Sequence, residues 1–447
     1  MANTDVTRIL SAFLVRSRYE DIPAAVRHEA KRALLNWLGC AIGASRHETT
    51  DRMLAAVSPF SGPAQATVLG RAERLDILHA ALVNGVSSHV LDFDDTHARA
   101  VHVSAPVMPA VLAYGEWKQL SGQALIHAFV LGVEAECRIG LSVFPEHYDR
   151  GWHITGTAGV FGAAAALGKV LGLDDKRMAY ALGIAATQSS GLREMFGTMC
   201  KSLHPGRAAQ NGLAAALLAL QSFTSSERAI EAPRGFAHVL STKFDPSVIT
   251  DGLGERYELA QNMYKPYACG LVVHAAIDGC IQLKREHALQ PDQIEAVHIR
   301  TSPLVPELTA IRNPQTGLEG KFSIYHAAAV ALVTGMAGEP QFADAVVCDP
   351  RVVAVRERVS IAAEKDIRKL EAYVTITLRD GRKLEKHVEH ALGTLQRPMS
   401  DADLEEKFRS LTAEVLPPAQ SDALIRACWQ LDALADVGVI ARAAAVQ

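Results

Sequence analysis

Aromatic side chains are scarce, 6% of the chain, although 49% of its residues are hydrophobic. Apolar packing must then come from small and aliphatic side chains. The seven cysteines, at 40, 137, 200, 269, 280, 348 and 428, are odd in number and no two lie closer than eleven positions. That spacing excludes a disulfide framework and a CxxC zinc knuckle. A dominant charge sign is also lacking: 45 Lys and Arg against 49 Asp and Glu leave a formal −4. No basic stripe offers itself to nucleic acid and no acidic tail to a basic partner. The longest bland run, 156–168, has 13 residues, well short of the roughly 20 that cross a bilayer. The opening MANTDVTRIL has no basic patch followed by an apolar core, so no secretory signal is read. The expectation is a reduced, cytoplasmic protein with no nucleic-acid or membrane partner.

What is present is helical texture. At about 100–200 residues per domain, the 447 residues suggest two to four domains. Asp21 and Pro23 sit where a helix N-terminus favours them, ahead of Val26, Ala30, Leu34, Leu35 and Leu38 at helical spacing. Further helices are predicted over 75–88, 106–119, 123–141, 157–171, 175–189, 208–222 and 226–240. Many are rich in Ala and Gly, and small side chains let helix backbones approach closely. After a helix over 271–286 the pattern changes. Residues 294–300 alternate as a strand does, and 370–378 do so more clearly, with Ala372, Val374, Ile376 and Leu378 on one face. Asp380-Gly381 then signals a hairpin into 383–389. Helices return over 401–411 and 424–434. The fold class expected is mainly α: a large all-helical domain, 1–265 with a return segment 395–447, interrupted by a smaller α+β domain over 266–394.

Polar residues cluster in five places. His89-Val-Leu-Asp-Phe-Asp-Asp-Thr-His-Ala-Arg-Ala-Val-His102 holds three carboxylates and three imidazoles, either as capping aspartates balanced by histidines or as an active-site loop. Gly151-Trp-His153 opens a helix. Lys201, His204 and Arg207 stand where a helix is expected to begin, a place where anions bind readily. Tyr264-Lys-Pro-Tyr267 lies at the domain junction and Gly320-Lys-Phe-Ser-Ile-Tyr-His326 starts an apolar helix. Gly252-Leu-Gly254 lacks the third glycine of a dinucleotide loop, and no GxxxxGK[ST] occurs. His387 and His390 are too close for an i,i+4 metal pair and are expected at the surface. Asp94-Asp95 resembles the magnesium-binding aspartates of terpenoid synthases, but Ala98 stands where a further carboxylate should follow.

NGVSSHVLDFDDTHARAVHVSAPVMPAV, GWHITGTAGVFGAAAALGKVLGL, GTMCKSLHPGRAAQNG, GKFSIYHAAAVAL and PMSDADLEEKF together resemble the MmgE/PrpD family. That family includes 2-methylcitrate dehydratase, cis-aconitate decarboxylase and iminodisuccinate epimerase. The resemblance implies a helical domain with an α+β lid, a homodimer, a small di- or tricarboxylate substrate, and neither metal nor organic cofactor. By motif it places active-site positions on Asp92, Thr96, His102, His153, Lys201, Lys265 and Tyr325. Val103 and Ser202 stand where the family often has proline.

On this reading His102 and His153 are the acid/base pair. Asp92 orients one imidazole, and Tyr325 donates a proton or hydrogen bond. Lys201, Lys265 and Arg207 hold carboxylates, with Thr96 and His204 also contacting substrate. A hydro-lyase acting on a 2-methylcitrate-like acid is the first expectation, with a decarboxylase or an epimerase as alternatives and a non-catalytic carboxylate-binding protein as a remote one.

Overall fold

The computed structural model describes residues 5–99 and 101–446. It is mainly helical with small sheets. The central helices are Ala24–Gly43, Ile77–Val90, Ser104–Lys118, Gly122–Ser142, Ile154–Val170 and Cys200–Leu220. The last two of these pack along much of their length. A Cβ added at Gly212 would lie 2.4 Å from the Cβ of Ala163, so the glycine lets the two backbones come close. Small residues set the spacing elsewhere too. Ile77–Val90 crosses Cys200–Leu220 glycine against glycine, where a Cβ on Gly85 would lie 2.7 Å from the Gly206 Cα.

A second apolar cluster joins Val6–Arg16 and Asp175–Ala186 to the outer faces of Gly122–Ser142 and Ile154–Val170. The C-terminal helices Asp401–Thr412 and Pro418–Trp429 contribute Leu404, Phe408, Leu424 and Ile425 to the main helical core. A third cluster forms around a four-stranded sheet in the order Val359–Ala363, Ile294–Thr301, Ala372–Leu378, Lys383–Val388. The first pair is parallel and the other two antiparallel. Ala372, Val374, Ile376 and Leu378 are buried, and Gly381, at φ +86°, makes the turn into Lys383–Val388. Helices His274–His287, Ile324–Thr334 and Pro350–Arg356 carry the apolar residues that pack on this sheet.

Three local expectations are corrected. Residues 226–240 are mostly turns with a short helix at Phe236–Leu240, because Pro233 and Gly235 break the run and Glu231 turns inward to accept from Thr7. Asp21 does not cap the first long helix; its carboxylate takes the Arg18 guanidinium. The helix expected from 208 begins at Cys200, so Lys201, His204 and Arg207 are inside it. No helix among the described residues is long and apolar enough to cross a membrane.

Candidate active site

The glycine crossing sets the end of Ile77–Val90 beside the start of Cys200–Leu220. The chain leaving the first helix turns sharply at Asp92, which is buried and has φ 50°. Left-handed backbone is uncommon for a residue with a side chain and is found where the surroundings over-determine it. Here they do. The Asp92 carboxylate accepts from Lys201 Nζ at 2.6 Å and from Lys265 Nζ at 3.0 Å, and Lys265 also holds the Asp92 carbonyl at 2.9 Å. Lys265 is brought in by a two-residue ladder in which Thr96 pairs with Met263. Burial pushes the Asp92 carboxyl up, but Lys201 and Lys265 outweigh it and hold it well below the usual carboxylate range. Two ammoniums against one carboxylate leave a positive charge at the base of a cavity, where a substrate carboxylate would be stabilised. Burial pushes the Lys201 amine down against the pull of Asp92.

The motif reading gives Asp92 the task of orienting an imidazole. The structure gives that task to Asp94. Its Oδ2 lies 2.9 Å from His89 Nδ1 and 3.1 Å from His102 Nδ1. His102 Nδ1 also donates to the Asp95 carbonyl at 3.0 Å, and its backbone N–H donates to Thr155 Oγ1 at 3.3 Å. With Nδ1 committed as a donor, Nε2 is the nitrogen left for proton transfer, and a protonated ring has Asp94 as its counter-ion. The His102 side chain is 14% exposed, against none for Asp94. Burial raises the Asp94 carboxyl, but His102 and His89 reverse this and hold it well below its ordinary value.

His153 stands at the N-cap position of the helix Ile154–Val170 without a side-chain capping bond, and its Nδ1 lies 2.8 Å from His204 Nδ1, so one ring donates and the other accepts. Burial, reinforced by Lys201, holds His153 well below the ordinary imidazole value and His204 at about 4. His89 is pushed down to about 3 by burial despite Asp94. These three rings are therefore neutral near pH 7.

The cavity has a volume of about 310 Å³ and is lined by Asp92, Thr96, His102, His153, Lys201 and Lys265 among others. It lies between the helical core and the sheet-bearing part, which supplies Leu271, Leu304 and Phe322. His204 stands behind His153. Arg207 and Tyr325, like His204, are not among the described lining residues. Arg207 is exposed and bonds to Gln210; it is six residues from Lys201, about 240° round the helix. Tyr325 stacks under the Arg312 guanidinium at 4.7 Å; Phe322 of the same segment does line the cavity. Among the described residues, His89, Asp94 and His102 could hold a metal ion, their ligand atoms lying within 4.8 Å of one another.

Residues 8–249 match the MmgE/PrpD N-terminal domain and residues 267–431 match the MmgE/PrpD C-terminal domain. The chain belongs to the MmgE/PrpD family. Relatives of this MmgE/PrpD protein are enzymes. It is 28% identical over 435 residues to the cis-aconitate decarboxylase of Homo sapiens, covering 93% of this chain and 89% of that one. It is 28% identical over 470 residues to that of Aspergillus terreus, covering 98% and 95%. It is 26% identical over 453 residues to the 2-methylcitrate dehydratase of Cupriavidus necator, covering 92% and 91%.

Proposed function

We propose that the chain is a lyase that decarboxylates a small unsaturated tricarboxylate of the cis-aconitate type by side-chain acid–base chemistry, with the sheet-bearing part acting as a lid. The observation that carries this reading is the Lys201–Asp92–Lys265 cluster beside the Asp94-backed His102 in one cavity. The two ammoniums anchor a carboxylate next to the reacting carbon. The bond to a second carboxylate breaks, CO₂ leaves, and the electron pair passes into the conjugated carboxylate that the cations stabilise. Fixed charges in a closed site are worth far more there than in water. Protonated His102 then gives its Nε2 proton to carbon, which completes the product. His153, held neutral by burial, donates or accepts a hydrogen bond at the same substrate.

A second reading, dehydration of a 2-methylcitrate-type hydroxy acid, is favoured by the Cupriavidus necator relative. The same imidazolium would protonate the departing hydroxyl. One experiment separates them: incubation in deuterated water with cis-aconitate, 2-methylcitrate and iminodisuccinate, followed by NMR. Loss of CO₂ with deuterium at carbon is the expected result. A new alkene with loss of water would establish the dehydratase instead. Exchange without net change would indicate epimerisation, and inert substrates throughout would remove the reading.

A further inference from the structure

The cavity is graded in a way the acid–base chemistry does not require. Its charged lining residues fall into two groups. Asp92, Lys201 and Lys265 are buried, whereas Arg99, Asp149 and Lys369 are exposed. The first group marks the base and the second the mouth. Beside His97, His102, His153 and Tyr148, the lining carries a set of large apolar side chains: Phe144, Phe196, Leu271, Leu304 and Leu308, all partly buried, and Phe322, buried at 7% exposure. They come from separate segments of the helical and the sheet-bearing parts. Phe196 and Phe322 flank the Lys201 ammonium at 5.6 and 5.4 Å, so this apolar collar begins where the carboxylate anchor ends.

A ligand made only of carboxylates has nothing to match such a collar. Carboxylates gain nothing against phenyl and isobutyl groups and lose water there. A ligand with an aliphatic arm gains in proportion to the apolar surface removed from water. Resting on the polycarboxylate reading above, we propose that the physiological substrate is an alkyl-substituted polycarboxylate. Its carboxylate sits on Lys201 and Lys265, and its aliphatic chain, longer than methyl, lies along Phe144, Leu304 and Leu308 toward the mouth. The other use of a collar, keeping water out, needs no particular chain length.

Calorimetric titration of the full chain with succinate and its 2-methyl, 2-ethyl, 2-propyl and 2-butyl derivatives distinguishes the two uses, because these diacids cannot undergo the reaction. Each added methylene is expected to lower Kd about 3- to 4-fold. In Leu308→Ser, and independently in Phe144→Ser, that increment should shrink while the order of the series is kept. A Kd that stays flat or rises from methyl to butyl, or no measurable binding of the butyl compound, overturns the proposal. The underlying reading has its own arm. Lys265→Met should weaken succinate itself at least 10-fold; if it does not, the carboxylate anchor is wrong even where chain length still improves binding.

Discussion

The amino group of Lys407 lies 2.6 Å from the carbonyl oxygen of Phe93, which ties the C-terminal helix Asp401–Thr412 to the loop that carries the site. It is one of three such ties on consecutive residues. Lys321 holds the Leu91 carbonyl at 2.7 Å and Lys265 the Asp92 carbonyl at 2.9 Å. Three buried ammoniums from three distant segments thus fix the turn at which Asp92 adopts its left-handed backbone. The arrangement explains how a strained residue stays in place without a glycine.

Lys407→Met tests this tie. The amine also serves the Lys265 carbonyl and Asn36 Oδ1, and all three acceptors would lose their donor. An unsatisfied buried acceptor costs about 1–3 kcal/mol. The variant should unfold at lower urea concentration and lose turnover although Lys407 is not among the residues lining the cavity. Unchanged turnover in a folded Lys407→Met protein would show that the loop holds its shape without it.

His102→Asn should reduce kcat by about 10²–10⁴-fold, the range for a positioned acid or base, with the circular dichroism spectrum unchanged. Asp94→Asn should move kcat in the same direction, because the protonated ring loses its counter-ion and its orientation. The contrast is with Asp92→Asn, which should chiefly raise KM by releasing the two lysines. Product formation followed over a range of substrate concentrations separates the two patterns. An Asp94→Asn enzyme with normal kcat would return the orienting role to another group.

Gly206→Val should be damaging at a distance from the chemistry. A Cβ on Gly206 would lie 2.6 Å from the Leu82 carbonyl oxygen and 2.8 Å from a Val86 methyl. Overpacking of this kind costs about 1–3 kcal/mol, and relief by separating the helices would pull Asp92 away from Lys201. Lower thermal stability together with lower turnover is expected. Gly62→Ala, whose nearest new contact is 3.8 Å away, should leave both unchanged.

These tests also show where the chain declares itself and where it does not. The alternation from Ala372 to Leu378 and the Asp380-Gly381 turn could be read directly, since period-2 burial and a left-handed glycine are local properties. Val359–Ala363 could not, because it is a short strand at the edge of the sheet with mixed exposure. The convergence of Asp92, His102, His153, Lys201 and Lys265 followed from their motifs. The division of labour between Asp92 and Asp94 did not, since it depends on one positive φ angle that no residue type near it demands. Nothing in the sequence gives Lys407 a role; its partners are mostly main-chain carbonyls, which leave no mark there. Proximity along the chain groups Arg207 with Lys201, and only the true start of the helix puts them on different sides.

Asp95 gives the last prediction, in stability against pH. Its carboxyl accepts from Ser104 Oγ at 2.6 Å and Asn262 Nδ2 at 2.7 Å. Burial nonetheless raises it from 3.8 to about 7. Between those values the folded chain holds a proton that the unfolded chain has released. The contribution of Asp95 is therefore fully present below about pH 4, declines as pH rises, and is lost above about pH 7. Asp95→Asn keeps an oxygen acceptor and cannot ionise. Urea midpoints measured at pH 5 and pH 8 should show the variant gaining on the wild type at the higher pH. Parallel pH dependences in the two proteins would mean that Asp95 is already ionised in the folded chain at pH 5, with Ser104 and Asn262 enough to hold its charge.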